Sequence, residues 1–171
     1  MKVLNIHERL LPAAPRKVGA LLDSLASPGD RLWPKDTWPA MRFDRTLGVG
    51  ARGGHGPIRY WVEEYLPGER IRFRFEAPRG FHGGHGYEVV SEDKGTLLRQ
   101  TLEMEARGPA LLTWPLVFRP LHDALIEDSL ATAQVTLGMA PEIRPWSRWV
   151  RLLRWAVSGG KARPQRGMGT G

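Results

Sequence analysis

The spacing of hydrophobic residues along this chain switches between a period of two and a helical period, and each switch marks an element. Lys2 to Leu10 alternates, with Leu4, Ile6 and Glu8 on one face and Val3, Asn5 and His7 on the other, which predicts a strand. Pro12 and Pro15 end it. Pro15 suits the first turn of a helix that carries Val18, Leu21, Leu22 and Leu25 at helical spacing. Ser27-Pro28-Gly29-Asp30 stops that helix, and a loop with Trp33, Pro34, Trp38 and Pro39 follows.

From Met41 the period returns to two, and five further strands are predicted. Met41, Phe43 and Arg45 alternate with Arg42 and Asp44. Ile58 to Tyr65 is a strand ended by the Pro67-Gly68 turn. The next strand sets Ile71, Phe73 and Phe75 against Arg70, Arg72, Arg74 and Glu76. Pro78 to Gly84 reads as a loop. Tyr87 to Glu92 is a strand, Asp93-Lys94-Gly95 a hairpin turn, and Thr96 to Arg107 the last strand, with Leu98, Gln100, Leu102 and Met104 on one face. Amphipathic strands of this kind predict an antiparallel sheet with one covered face. The cover is a helix that Pro120 opens and Gly138 ends, with Leu121, Leu125 and Thr132 along one stripe.

This order, strand, helix, antiparallel meander and long C-terminal helix, resembles the α+β helix-grip fold of the START-like superfamily, also called SRPBCC. That superfamily has polyketide cyclase/dehydrase and lipid-transport members. The stretch from Gly56 to Phe73, through Glu64-Tyr65-Leu66-Pro67-Gly68-Glu69, is similar to its strand–Pro-Gly–strand core, and so is the strand from Leu97 to Met104 that leads into the helix. The resemblance covers Met1 to about Gly138. It implies seven strands, the seventh expected within Arg45 to Ala51, and a cavity between the curved sheet and the long helix. Such a cavity serves members for hydrophobic small molecules. Fold alone leaves the chemistry open. The residues expected to line the interior are Tyr60, Ile71, Phe73, Phe75, Leu98, Leu102, Met104 and Leu125, with Gln100 and Glu64 as polar candidates on the same faces, Glu64 expected in water at a rim.

The string Gly53-Gly54-His55-Gly56 recurs as Gly83-Gly84-His85-Gly86. Strands two apart in a meander run the same way, so strand direction sends His55, His85 and His122 toward one rim of the sheet, with His82 nearby. These histidines are the candidates for polar ligand contacts or for acid–base work on a carbonyl-bearing substrate. Solvated or backbone-bonded imidazoles in flexible glycine turns are the alternative, and the favoured one. His82-x-x-His85 has no carboxylate at matched spacing, so no metal is expected, and no cofactor. The chain has no cysteine, no phosphate-binding glycine loop and no serine nucleophile motif.

Charge divides the chain in two. Met1 to Gly138 holds 18 basic and 17 acidic residues, a net of +1, and Met139 to Gly171 holds 7 basic residues and Glu142, a net of +6. The body is therefore nearly neutral despite a pI near 10.4, and nucleic acid is not an expected partner. The division predicts a domain over 1–138 and, over 139–171, a basic amphipathic helix with a disordered end from Gly159. Trp146, Trp149, Val150, Leu153 and Val157 fall at helical spacing, with Arg144, Arg148 and Arg151 opposite and Arg154 on a flank. Trp146, Trp149, Arg148 and Arg151 are the candidates for contact with an anionic membrane surface; packing of the tryptophan face on the body is the alternative. Three function classes follow: a carrier or binder of a lipid- or polyketide-like molecule, a cyclase or dehydratase, and a membrane-docking regulatory protein. No segment has the length of a membrane span or the apolar core of a signal peptide, which predicts a soluble, cytoplasmic bacterial protein.

Overall fold

The computed structural model describes residues 1–160 and Gln165. Its strands are β1 (Lys2–Leu11), β2 (Arg42–Phe43), β3 (Arg52–His55), β4 (Ile58–Leu66), β5 (Arg70–Ala77), β6 (Phe81–Glu92) and β7 (Gly95–Ala106). They form one antiparallel sheet in the order β1-β7-β6-β5-β4-β3-β2. Helix α1 (Pro15–Asp23) follows β1. A helical path then runs without a break from Ala110 to Thr136, through α2 (Ala110–Thr113), a π-helical turn (Trp114–Phe118) and α3 (Arg119–Thr136). Helix α4 (Arg148–Val157) comes last. This is the helix-grip arrangement, with seven strands.

Three boundaries differ from the sequence reading. The seventh strand is Arg52–His55, just beyond the stretch expected to hold it, and it contains the first glycine string. Strand β6 starts at Phe81, so the second string lies inside a strand rather than in a loop. Its glycines are there for strand packing: a Cβ on Gly84 or Gly86 would fall 2.3 or 2.1 Å from the carbonyl oxygens of Phe73 or Ile71. The long helix starts at Ala110, ten residues before Pro120. Pro115 has no N–H to donate, and the wider π-helical turn accommodates it.

The inner face of the sheet carries Ile71, Phe73, Leu98, Leu102 and Met104, all buried. One row crosses it: Val62 pairs with Phe73, Phe73 with His85, His85 with Leu102, and Leu102 with Asn5. A register shift between Val62 and Glu64 turns β4 over, so Tyr65 rather than Glu64 continues the apolar face. Glu64 instead pairs with Arg70 at 2.7 Å on the other side. Two apolar clusters result. The larger joins α1, the tryptophan loop and α3 to the middle of the sheet. The smaller gathers Phe81, Leu102, Met104, Ala106, Ala110 and Trp114 at the start of the long helix.

Strand β1 turns its polar side inward. Leu4 and Ile6 are exposed, whereas Arg9 is buried and His7 nearly so. Helix α3 answers with acids. His7 Nδ1 is 2.8 Å from Glu127 Oε1, and its Nε2 is 3.2 Å from Asp123 Oδ1. Arg9 bridges Glu127 at 2.9 Å and donates to Gln134 at 3.0 Å. Burial lowers the His7 pKa, but the hydrogen bonds to Asp123 and Glu127 outweigh it and raise the pKa to about 9.

Helix α4 packs on the body. Trp146, Val150, Leu153 and Arg154 are buried. Trp146 donates to Asp128 at 3.0 Å and meets Trp38 edge to face, with ring centroids 5.5 Å apart. Trp146 is therefore part of the body and does not belong to a membrane-facing surface, whereas Trp149, Arg148 and Arg151 are exposed. Gly159 and Gly160 close the helix in a turn, and Gln165 is buried. The rest of the segment expected to be disordered lies outside the described residues. Among the described residues no helix is long and apolar enough to cross a membrane.

Candidate functional site

A cavity of about 280 Å³ lies between the inner face of the sheet, the long helix and α4. Phe75 on its wall packs against both apolar clusters. The sheet supplies Ile58, Phe75, Phe81, His85, Tyr87 and Leu102. The long helix supplies Trp114, Phe118, Leu121, His122, Leu125 and Ile126. Trp33, Trp38 and Pro39 close one side from the loop after α1, and the β3–β4 hairpin adds His55, Gly56 and Pro57. Arg154, Val157 and Ser158 of α4 complete the wall.

Of the residues expected to face a ligand, Phe75, His85, Leu102, His122 and Leu125 do line this space, and so does His55. Tyr60, Ile71, Phe73, Leu98, Gln100 and Met104 are on the predicted face but sit in the packed core behind the wall. Gln100 stands behind His122, with its Nε2 3.3 Å from His122 Nε2, and its own Oε1 has no partner. An amide turned the other way would let His122 donate to that oxygen.

The three histidines do converge, though inside the cavity rather than at a rim. His85 is in mid-strand. It is held among Tyr60, Phe73 and Phe75, with ring centroids at 4.8, 5.0 and 4.9 Å. His55 ends β3, where its Nδ1 is hydrogen-bonded to the Tyr60 hydroxyl at 2.9 Å and its ring packs 4.7 Å from Trp33. His122 is in the first turn of α3, about three turns into the continuous helical path from Ala110. His82 points to the opposite face and is exposed.

Burial holds these imidazoles neutral. It is the first cause of a His55 pKa of about 3, with the neighbouring His122 and Arg59 acting in the same direction. Burial, His55 and His122 together push His85 well below the usual histidine range. His122 is lowered by burial and by His7, against the pull of Asp123. His85 Nε2 and His122 Nδ1 are both buried and have no hydrogen-bond partner. A neutral imidazole nitrogen in an apolar wall can accept a proton, donate one to a carbonyl, or hold a ligand hydroxyl.

Behind His122, between β1 and α3, His7, His122 and Asp123 bring ligand-type atoms within 4.8 Å of one another. These are the residues able to hold a cation, a grouping that spacing along the chain did not suggest. The ion pairs here belong to His7, with Glu127 at 2.8 Å and Asp123 at 3.2 Å, while Nδ1 of the neutral His122 is 3.7 Å from Asp123 Oδ1.

The wall residues that the sequence reading did not single out as ligand contacts include six aromatics, Trp33, Trp38, Phe81, Tyr87, Trp114 and Phe118. Trp33 and Trp38 are in a loop and Trp114 is in the π-helical turn, places where periodicity has nothing to report. The available signal was composition: two tryptophans in a proline-rich loop need apolar surface to cover.

No known family model matches the sequence, and no curated protein matches it. Solved structures do. Ara h 8.0201 superposes with a TM-score of 0.58 at 12% identity, over 81% of this chain and 99% of that one. A norcoclaurine synthase of Thalictrum, in complex with a transition-state analogue, gives 0.57 at 14% identity over 81% and 96%. The di-domain ARO/CYC protein StfQ of the steffimycin biosynthetic pathway gives 0.58 at 14% identity, over 80% of this chain and 50% of that one. Identities this low establish a shared fold and nothing finer.

Proposed function

We propose that this protein binds a hydrophobic small molecule in the cavity beneath the long helix and that its histidines make the polar contacts. The observation that carries this reading is the unpartnered Nε2 of His85, buried in a wall otherwise made of aromatic and aliphatic side chains. An unsatisfied buried nitrogen is costly unless something fills the space in front of it. At about 280 Å³ the cavity is just below the roughly 300–1,000 Å³ range of small-molecule pockets. That size favours a compact ring system or a single short chain over a two-chain lipid.

A second reading, a cyclase or dehydratase acting on a polyketide-like substrate, rests on the same imidazoles. A histidine held neutral by burial has a free ring nitrogen at neutral pH, but a pKa of about 3, as at His55, makes it a weak base. Tyr60, behind the wall, is hydrogen-bonded to His55, and burial raises its pKa well above the usual tyrosine range, so it supplies no ready acid. The names of the ARO/CYC protein and the synthase favour this class, but their chemistry is their own. No carboxylate lines the cavity among the described residues, so binding is placed first.

Native mass spectrometry of freshly purified protein tests the proposal. A co-purifying small molecule, lost when Leu125→Trp fills the cavity, supports it. A bare mass, together with no uptake of neutral aromatic probes, counts against it.

A further inference from the structure

Arg154 is the one charged side chain on the cavity wall among the described residues, apart from the buried histidines. It is 8% exposed. Its guanidinium carbon lies 4.0 Å from the Trp38 ring centroid and 4.3 Å from that of Trp146. One terminal nitrogen donates to the carbonyl of Thr37. Its Nε is buried and has no acceptor.

The nearest acid does not pair with it. Asp128 Oδ2 accepts from Trp38 Nε1 at 2.8 Å and from Trp146 Nε1 at 3.0 Å, and Oδ1 accepts from Gln165 at 2.9 Å. The described residues give Arg154 no carboxylate within ion-pair distance. Two indole faces, one carbonyl and the longer-range attraction of Asp128 offset only part of the cost of burying a full charge. A cation kept at a cavity wall with an unused N–H is a site for an anion, and the planar fork of arginine matches a carboxylate.

We infer that Arg154 receives the carboxylate of the cavity ligand, so that the ligand is a compact hydrophobic acid. Its apolar body fills the space between Phe75, Leu102 and Leu125, and its charged end lies against α4. This assignment deepens the proposed function and rests on it. It also gives the basic C-terminal segment a part in recognition: α4 brings the counter-charge to a body that has none on its cavity wall.

Matched probes test the assignment. Binding of 2-naphthoate and of its neutral amide, 2-naphthamide, is measured by isothermal titration calorimetry on the full chain. Wild type is expected to bind the acid at least tenfold more tightly than the amide. Arg154→Met, which keeps the length and apolar stem of the side chain, is expected to lose that preference while its affinity for the amide is kept. Arg154→Lys is expected to retain part of the preference. Thermal unfolding confirms that each variant is folded, and the wild-type comparison stands even if one is not. Equal affinities for acid and amide in wild type, or a preference that survives in Arg154→Met, overturn the assignment. Binding of neither probe overturns the cavity reading itself, and the assignment with it.

Discussion

Phe75 and His85, on the adjacent strands β5 and β6, stack with ring centroids 4.9 Å apart and planes tilted by 29°. This contact fixes the imidazole by packing alone and leaves Nε2 free of any protein partner. His85→Phe keeps the packing and removes the nitrogen. The expected result is a melting temperature unchanged or raised, and a roughly fivefold loss of affinity for a ketone probe such as 2-acetonaphthone, from one hydrogen bond of ~1 kcal/mol. Titration calorimetry and thermal unfolding check the two halves. A drop in stability with affinity untouched would make His85 a packing residue only.

Acid should weaken the fold through the buried histidines. The His55 pKa is depressed from its ordinary 6.5 to about 3. Below pH 6.5 the unfolded chain takes up a proton that the folded chain refuses, so stability falls as pH drops from 6.5 toward 3. Denaturant unfolding across that window should give a shallower slope for His55→Phe than for wild type. Parallel slopes would show that His55 is solvated in solution.

His7 acts with the opposite sign. Its pKa is raised to about 9, so the stability it confers is whole below pH 6.5 and is lost as pH rises through 9. Wild type should lose stability relative to His7→Gln between pH 6.5 and 9.5, measured by urea midpoints. Equal pH dependence in the two proteins would rule out the ion-paired bridge between β1 and α3.

The strands with clean alternation were legible in sequence. Ile71, Phe73 and Phe75 against Arg72 and Arg74 give β5 and its buried face directly, and Leu98, Leu102 and Met104 do the same for β7. Strand β1 was legible as a strand, but which side faces inward was not. Asn5, His7 and Arg9 point in because Asp123, Glu127 and Gln134 meet them from more than 110 residues away, and no local pattern reports that. The histidine convergence followed from strand direction. Its depth did not, because the start of β6 was hidden by glycines that read as a loop and are there for close strand contact. The charge step at 138/139 was read as a domain boundary, with packing of the tryptophan face on the body left open, and Trp146, Val150 and Leu153 are buried against the body. Sequence charge cannot show where an amphipathic helix docks.

Removal of α4 separates those two views. A chain ending at Gly138 keeps the sheet, α1 and the long helix, and is expected to unfold cooperatively. It should melt several degrees lower, since Trp38 loses its contacts with Trp146 and Arg154. Differential scanning calorimetry checks this. Loss of a cooperative transition would show that α4 belongs to the same folding unit as residues 1–138.

The most direct test of the account is the occupancy of the cavity by a neutral apolar molecule. Titration with 1-aminoanthracene, followed by its fluorescence, should saturate at one molecule per chain. Leu125→Trp, which fills the space, should abolish the signal while the protein stays folded, and Leu152→Ala, on the exposed side of α4, should leave it unchanged. Absence of saturable binding in wild type, or binding that Leu125→Trp does not reduce, would contradict the claim that this cavity is the functional site.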